Sequence, residues 1–234
     1  MATFRPFAAL RPTKELAKQV AALPYDVVTR KEAEELGKEN PYSFLHVDRA
    51  EIDLGPAVDP YSSKVYEKAR ENLERMKKEG VYQKDSIPCY YIYQQQMGEY
   101  IQTGLVGCAS IDDYLNHVVK RHELTREEKE EDRIRHVDTC DANTGPIFLT
   151  GRFSDELIDL MDHWMTVHEA EYDFQEEDGI FHRVWKIQDP EYLENDWTDQ
   201  QLLYCGWPSQ GRVGGESGEK EKTRTPRLHR RGRI

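Results

Sequence analysis

Apolar positions recur at helical spacing most clearly between Tyr61 and Lys78, where Val65, Ala69, Leu73 and Met76 share one face and Gly80 follows as a stop signal. Two further helices announce their starts. Thr29 precedes Arg30–Leu36 with Gly37 behind it, and Ser154 precedes a run reaching Val167. Thr13 is the expected cap of a helix over 14–23, which Pro24 ends. Alternating or continuous apolar runs predict strands at Phe4–Leu10, Tyr25–Val28 and Tyr42–Val47, with a loop from Asp48 to Pro60. Two hairpins follow. One joins Cys89–Gln95 to Tyr100–Ile111 through Met97-Gly98-Glu99; the other joins Ala170–Gln175 to Ile180–Ile187 around Glu177-Asp178-Gly179. A last helix is expected from Pro190 to about Tyr204. Hairpins mixed with helices, without steady strand–helix alternation, place the chain in the α+β class, with mixed sheets and flanking helices.

The stretch from Lys120 to Leu149 breaks this simple patterning. Lys120, Arg121, His122 and Glu123 stand in a row, Thr125 and Glu128 have the spacing of a capping box, and an apolar strand begins at Gly145-Pro146. The helix between them places like charges four residues apart at Glu127/Glu131, Glu128/Asp132 and Lys129/Arg133, which costs helix stability. For most of these charges a solvated helix face is the expected setting. Lys120, Arg121 and Arg126 around His122 and Glu123 would also suit an anionic ligand beside a general base. Asp26, at the end of Tyr25–Val28, reads as a turn cap or a second base. His117, His122 and His136 lack zinc-site spacing and no metal ligand set is expected; no phosphate-binding Gly-rich loop occurs, and Cys140 reads as a buried, passive thiol. The tyrosines between Tyr82 and Tyr100 read as sheet packing before ligand stacking.

Charge narrows the function classes. The 234 residues carry a net charge of −12, which argues against a dedicated nucleic-acid binder. No apolar run approaches the ~20 residues of a membrane span, and the N-terminus lacks a signal-peptide core. Four cysteines without close pairing fit reduced thiols in a cytoplasmic protein. The charge is uneven: residues 205–234 hold eight Lys/Arg against three Glu and six of the fifteen glycines, so residues 1–204 carry −17.

Six segments carry a resemblance. They are FRPFAALRP at 4–12, PYDVV at 24–28, NPYSFLHV at 40–47, YYIYQQ at 90–95, QTGLVGCASIDDY at 102–114, and KRHELTREEKEEDRIRHV with ANTGPIFL between 120 and 149. In this order they resemble domain-of-unknown-function family 1015 over residues 4 to about 204. That family looks related to the ParB/sulfiredoxin-like superfamily, which includes kinases of free serine. The resemblance implies an α+β N-terminal region of a ParB-like protein, and an intact form that transfers a phosphoryl group from ATP, ADP or pyrophosphate, with Mg2+, to free serine. It implies acid–base roles for His122, Glu123 and Asp26, phosphate or carboxylate binding by Lys120, Arg121, Arg126 and Arg133, and substrate hydrogen bonding by Asn143. The alternative it leaves open is a non-catalytic nucleotide- or anion-binding regulatory module.

One part of the pattern is missing. The family's phosphate box, Asp-Gly-His-His-Arg after a strand, is replaced by Cys205-Gly206-Trp207-Pro208-Ser209-Gln210 after Leu202-Leu203-Tyr204. Codons for those six residues can be chosen so that a one-base shift reads Ala-Asp-Gly-His-His-Arg, and the end of the tail yields a family-like segment in the same shifted frame. The expectation is therefore a truncated member at 1–204 with a basic, disordered, frameshifted tail at 205–234, inactive as a kinase. A natural basic arm is the other reading of the tail. Thr150-Gly151-Arg152 also departs from the family, which puts the end of that strand in question.

Overall fold

The structure is a computed structural model; it describes residues 2–121, 127–151, 153–189, 192 and 202–204. In chain order the elements begin with β1 (Phe4–Arg5), β2 (Leu10–Pro12), α1 (Ala17–Val20), α2 (Arg30–Lys38) and α3 (Leu45–Asp48). A 3-10 turn (Ala50–Asp53), α4 (Ser63–Lys78) and β3 (Tyr82–Lys84) follow. Then come β4 (Tyr90–Met97), β5 (Tyr100–Val106), β6 (Cys108–Ala109), α5 (Ile111–Leu115), β7 (Lys120–Arg121) and α6 (Glu127–Cys140). The chain continues through β8 (Leu149–Gly151), α7 (Asp155–Val167), β9 (Tyr172–Gln175), β10 (Phe181–Ile187) and β11 (Leu202–Tyr204). The fold is α+β, as the mixture of hairpins and helices predicts. No helix among the described residues is long and apolar enough to cross a membrane.

The chain forms two compact units. The helical unit takes Leu10–Gln83 and Thr125–Pro146; the sheet unit takes Met1–Ala9, Lys84–Leu124 and Ile147–Ile234. In the helical unit, α4 buries the predicted stripe of Val65, Ala69, Leu73 and Met76 against Val20, Val47, Ala50, Val81 and Cys140. Gly80, at φ +76, ends α4 in the left-handed region that glycine enters freely. Thr29 opens α2 with a full capping box, its hydroxyl accepting from the Glu32 N–H and the Glu32 carboxylate accepting from the Thr29 N–H.

Several local expectations change here. Gly37 lies inside α2 rather than past its end. It is there for packing, because a Cβ would sit 2.8 Å from Ile52 Cδ1 and 3.3 Å from His46 Nε2. Tyr25–Val28 is a turn, with the Val27 N–H donating to Pro24 O at 3.1 Å. Tyr25 and Val28 are buried and Val27 is exposed, a three-residue rhythm that a strand cannot produce. The segment 42–47 is not a strand either: Asn40 Oδ1 and Ser43 Oγ accept from the N–H groups of Tyr42 and Leu45, which leads the chain into α3. The helix expected over 14–23 shrinks to α1. Thr13 sends its N–H to Val81 O at 2.9 Å, and Ala21 is already extended, at ψ 139.

The main sheet of the other unit has the order β5-β4-β10-β9, antiparallel throughout. Gly98 and Gly179, at φ +59 and +87, lie in its two turns. Tyr90, Ile92, Trp185 and Ile187 line the face that packs on Leu157, Met161 and Trp164 of α7, which Ser154 caps by accepting from the Leu157 N–H. Phe4–Leu10 does not run as one strand: β1 pairs with β6, Phe7 bridges to Cys89, and β2 pairs with β3. Pro6 interrupts it, having no N–H to donate. The helix expected from Pro190 to Tyr204 falls mostly outside the described residues, but Leu202–Tyr204 is a strand. It is the centre of a third sheet, β7-β11-β8, and its pairing keeps Thr150 and Gly151 within β8.

Candidate functional site

The side chains that α6 buries are unusual for a helix with so charged a sequence. Lys129, Glu131 and Arg135 are exposed, as expected of a solvated face, but Glu130, Asp132, Arg133 and His136 are buried beside Ile134 and Cys140. Arg133 and Asp132 keep 9% and 8% of their side-chain surface and meet at 3.0 Å. Arg133 donates from Nε and Nη2 to Asp132 Oδ2, and Tyr66 of α4 donates its hydroxyl to Oδ1 at 2.8 Å. The guanidinium lies over the Tyr25 ring, 4.2 Å from its centroid, a cation–π contact. Burial opposes the charge on Arg133, but Asp132 and Asp48 outweigh it and hold the guanidinium firmly protonated.

Around this pair sit groups tuned by their surroundings. Burial pushes Asp48 up to about 6, against the opposing pull of Arg133 and a Thr144 hydrogen bond. A carboxyl in that range can both take and return a proton near neutral pH. His136 lies 4.0 Å from it, with Nε2 against Val47 O at 3.0 Å. A carbonyl only accepts, so Nε2 carries the proton and Nδ1 faces the Thr144 hydroxyl at 3.4 Å. Burial and then Arg133 lower this imidazole to about 4, which keeps it neutral. Burial, aided by Asp48, raises the Cys140 thiol to about 11, so it is a poor nucleophile, as its sequence position suggests. Asp26 Oδ1 is buried with no hydrogen-bond partner among the described residues. Asp26, Asp48, Asp132 and Arg133 all act electrostatically on the Tyr25 phenol.

The structure thus brings Asp26 and Arg133 together in the helical unit. Asn143 is in the same unit, on an exposed loop after α6. Lys120 and Arg121 belong to the sheet unit, where they form β7. His122, Glu123 and Arg126, with the Thr125 half of the expected capping box, lie outside the described residues. Asp48, Asp132, Tyr25 and Tyr66 belong to the cluster although their sequence context assigned none of them a role. The only hint was that positions 130, 133, 134, 137 and 140 keep helical spacing, with a charge where an apolar side chain is usual. Among the described residues, no group of three or more His, Cys, Asp or Glu is placed to hold a metal ion.

The second arrangement lies in the three-stranded sheet. β11 runs parallel to β7, with Leu203 opposite Lys120 and Tyr204 opposite Arg121. It runs antiparallel to β8, with Tyr204 opposite Leu149. Neighbouring strands lie about 4.8 Å apart. Arg121, Tyr204 and Leu149 therefore stand side by side at one end of the sheet. His122 and Glu123, and the residues after Tyr204, lie outside the described residues.

No curated protein and no solved structure matches the chain. A family model described as a protein of unknown function, DUF1015, matches residues 4–200, and on that span the chain belongs to this family.

Proposed function

We propose that the intact DUF1015 protein is a phosphotransferase acting on free serine, with the phosphoryl donor held at the end of the β7-β11-β8 sheet. One observation carries this reading: β7 and β11 end side by side and in the same direction. Lys120 and Arg121 thereby lead directly to His122 and Glu123 next to the point where the resemblance places Asp-Gly-His-His-Arg. A cationic run beside such a box supplies charge-assisted donors for phosphate oxygens. Phosphoryl transfer depends mainly on positioning and on neutralising negative charge. His122 and Glu123 are the acid–base candidates there, and Lys120, Arg121 and Arg126 the phosphate ligands. A Mg2+ ion arriving with the donor needs one or two protein carboxylates. Glu123 is the carboxylate nearest that strand end in sequence, and the ion would offset the donor's charge.

Within the helical unit, Asp26 is proposed as an acid–base group, Arg133 as a phosphate- or carboxylate-binding group, and Asn143 as a hydrogen-bonding group for substrate. Arg133 spends Nε and Nη2 on Asp132, and its Nη1 makes no hydrogen bond among the described residues. The chain as it stands has Cys205–Gln210 in place of the box. Losing one such donor costs ~100- to 1000-fold in rate, so this chain should be essentially inactive. The test is phosphoserine formation from serine with ATP, ADP or pyrophosphate, with and without Mg2+, comparing this chain with one whose frame is restored after Tyr204. Turnover only by the restored protein supports the reading. Robust turnover by this chain would remove the box from the mechanism. Nucleotide binding without turnover by a folded, restored protein would favour a regulatory module.

A further inference from the structure

The two edges of the four-stranded sheet are built differently. β9 has four residues, includes Asp173, and is flanked by Glu171, Glu176, Glu177 and Asp178. A short, charged edge is how proteins keep a strand from pairing with another chain. β5, the other edge, has seven residues, YIQTGLV, with no charge and no proline. Its first residues stand out from the protein: Tyr100 is 80% exposed and Ile101 58%, beside Met97 at 59%. Among the described residues, no strand pairs with its outer side.

From this asymmetry we infer that β5 is a homodimer interface, in which two copies pair antiparallel about Thr103 into one continuous eight-stranded sheet. The strand is self-complementary in that register. Thr103 meets its own copy, Gln102 meets Gly104, Ile101 meets Leu105 and Tyr100 meets Val106. Thr–Thr and apolar cross-strand pairs of this kind are favourable. Leu105 already packs against the core formed with α7, so Ile101 of the second copy extends an existing apolar surface. Each chain carries a net charge of −12, so like-charged contacts would oppose association. The register avoids them, because Glu99 falls opposite Gly107 and no carboxylate faces another across the axis. The contact is isologous, and pairing β5 with β5 uses up the open edge on both copies.

The experiment is sedimentation velocity on the full chain from about 1 to 100 µM, with the Ile101→Lys variant alongside. The expected result is a reversible species of twice the 27.4 kDa chain mass, tightened by added salt because the contact is uncharged while the chains repel. Ile101→Lys should weaken it by about 10- to 100-fold with an unchanged far-ultraviolet spectrum, since Ile101 is exposed in the single chain. Thr103→Cys in a Cys108→Ser, Cys205→Ser background should form a disulfide-linked dimer on mild oxidation, and Asp173→Cys in the same background should not. A monomer throughout the range would overturn the inference. So would a dimer indifferent to Ile101→Lys, equal crosslinking at 103 and 173, or open-ended aggregation.

Discussion

Replacing Asp132 by alanine removes one carboxylate and leaves two buried groups without their main partner. Tyr66 loses the acceptor of its hydroxyl at 2.8 Å, and Arg133 loses the acceptor of both Nε and Nη2. Breaking a buried ion pair from one side costs about 3–5 kcal/mol, because the stranded charge cannot regain its hydration. Asp48 still acts on Arg133 through space, which places the expected loss near the lower end, about 3 kcal/mol. Tyr66→Phe removes only one hydrogen bond and should cost about 1 kcal/mol. Asp132→Asn, which keeps an acceptor but not the charge, should fall between them. The readout has to be chosen with care. All four tryptophans, at 164, 185, 197 and 207, lie outside the helical unit, so their fluorescence reports on the wrong part of the chain. Urea unfolding followed by circular dichroism at 222 nm suits the helical unit. A loss below about 1 kcal/mol for Asp132→Ala, with an unchanged urea slope, would show that the pair is solvated and that the buried-charge reasoning fails.

Two further outcomes are expected in the same unit. Gly37→Ala should destabilise it by about 1 kcal/mol, the gain in helix propensity being outweighed by overpacking against Ile52 and His46, while Gly55→Ala, which meets nothing within 4 Å, should be neutral in the same thermal melts. The His46–Asp53 pair, at 2.8 Å, should show a stability window in pH. The Asp53 hydrogen bond raises His46 above 6.5 against the opposing effect of burial. Burial pushes Asp53 up, but His46 and Asn72 outweigh it and hold it below 3.8. The raised histidine contributes fully below 6.5 and loses its contribution as pH rises through its folded value. The lowered aspartate contributes above 3.8 and loses its contribution as pH falls through its own. The difference in unfolding free energy between wild type and Asp53→Asn should therefore be largest between about pH 4 and 6.5 and shrink as pH rises through the raised His46 value; a constant difference up to pH 9 would disprove the coupling.

What could be read from the chain beforehand follows the reach of the signals. The Thr29 cap, the α4 stripe, the Ser154 cap and the glycine turns at 98 and 179 are decided within a few residues, and they hold. Tyr25–Val28 and Tyr42–Val47 are apolar runs too short to separate strand from helical turn. Their outcome was set by Asn40, Ser43 and Pro24 acting on the backbone. β11 exists because β7 and β8, both distant in sequence, flank it, and no local pattern announces that. The candidate cluster was visible only in part for the same reason. Arg133 and Asp26 stood out as charges, but Asp48 and Tyr66 join them through the packing of α3 and α4 near α6. Asp132 read as one more like charge on a solvated helix until its burial was known.

The order in which the units are assembled from the chain bears on synthesis. The helical unit is complete once Pro146 has been made, although its pieces are separated by residues 84–124 of the other unit. The sheet unit must wait. β4 gains β5 at once through its hairpin, but β10, its partner on the other side, begins eighty-four residues after Met97. At about 5–20 residues per second, several seconds pass with Tyr90 and Ile92 made and their tryptophan-bearing partners Trp164 and Trp185 not yet emerged. A ribosome-bound chain that has emerged only as far as Pro146 would then carry a finished helical unit and an aromatic hairpin still lacking its cover. That hairpin is the segment for which a holdase chaperone would compete during translation.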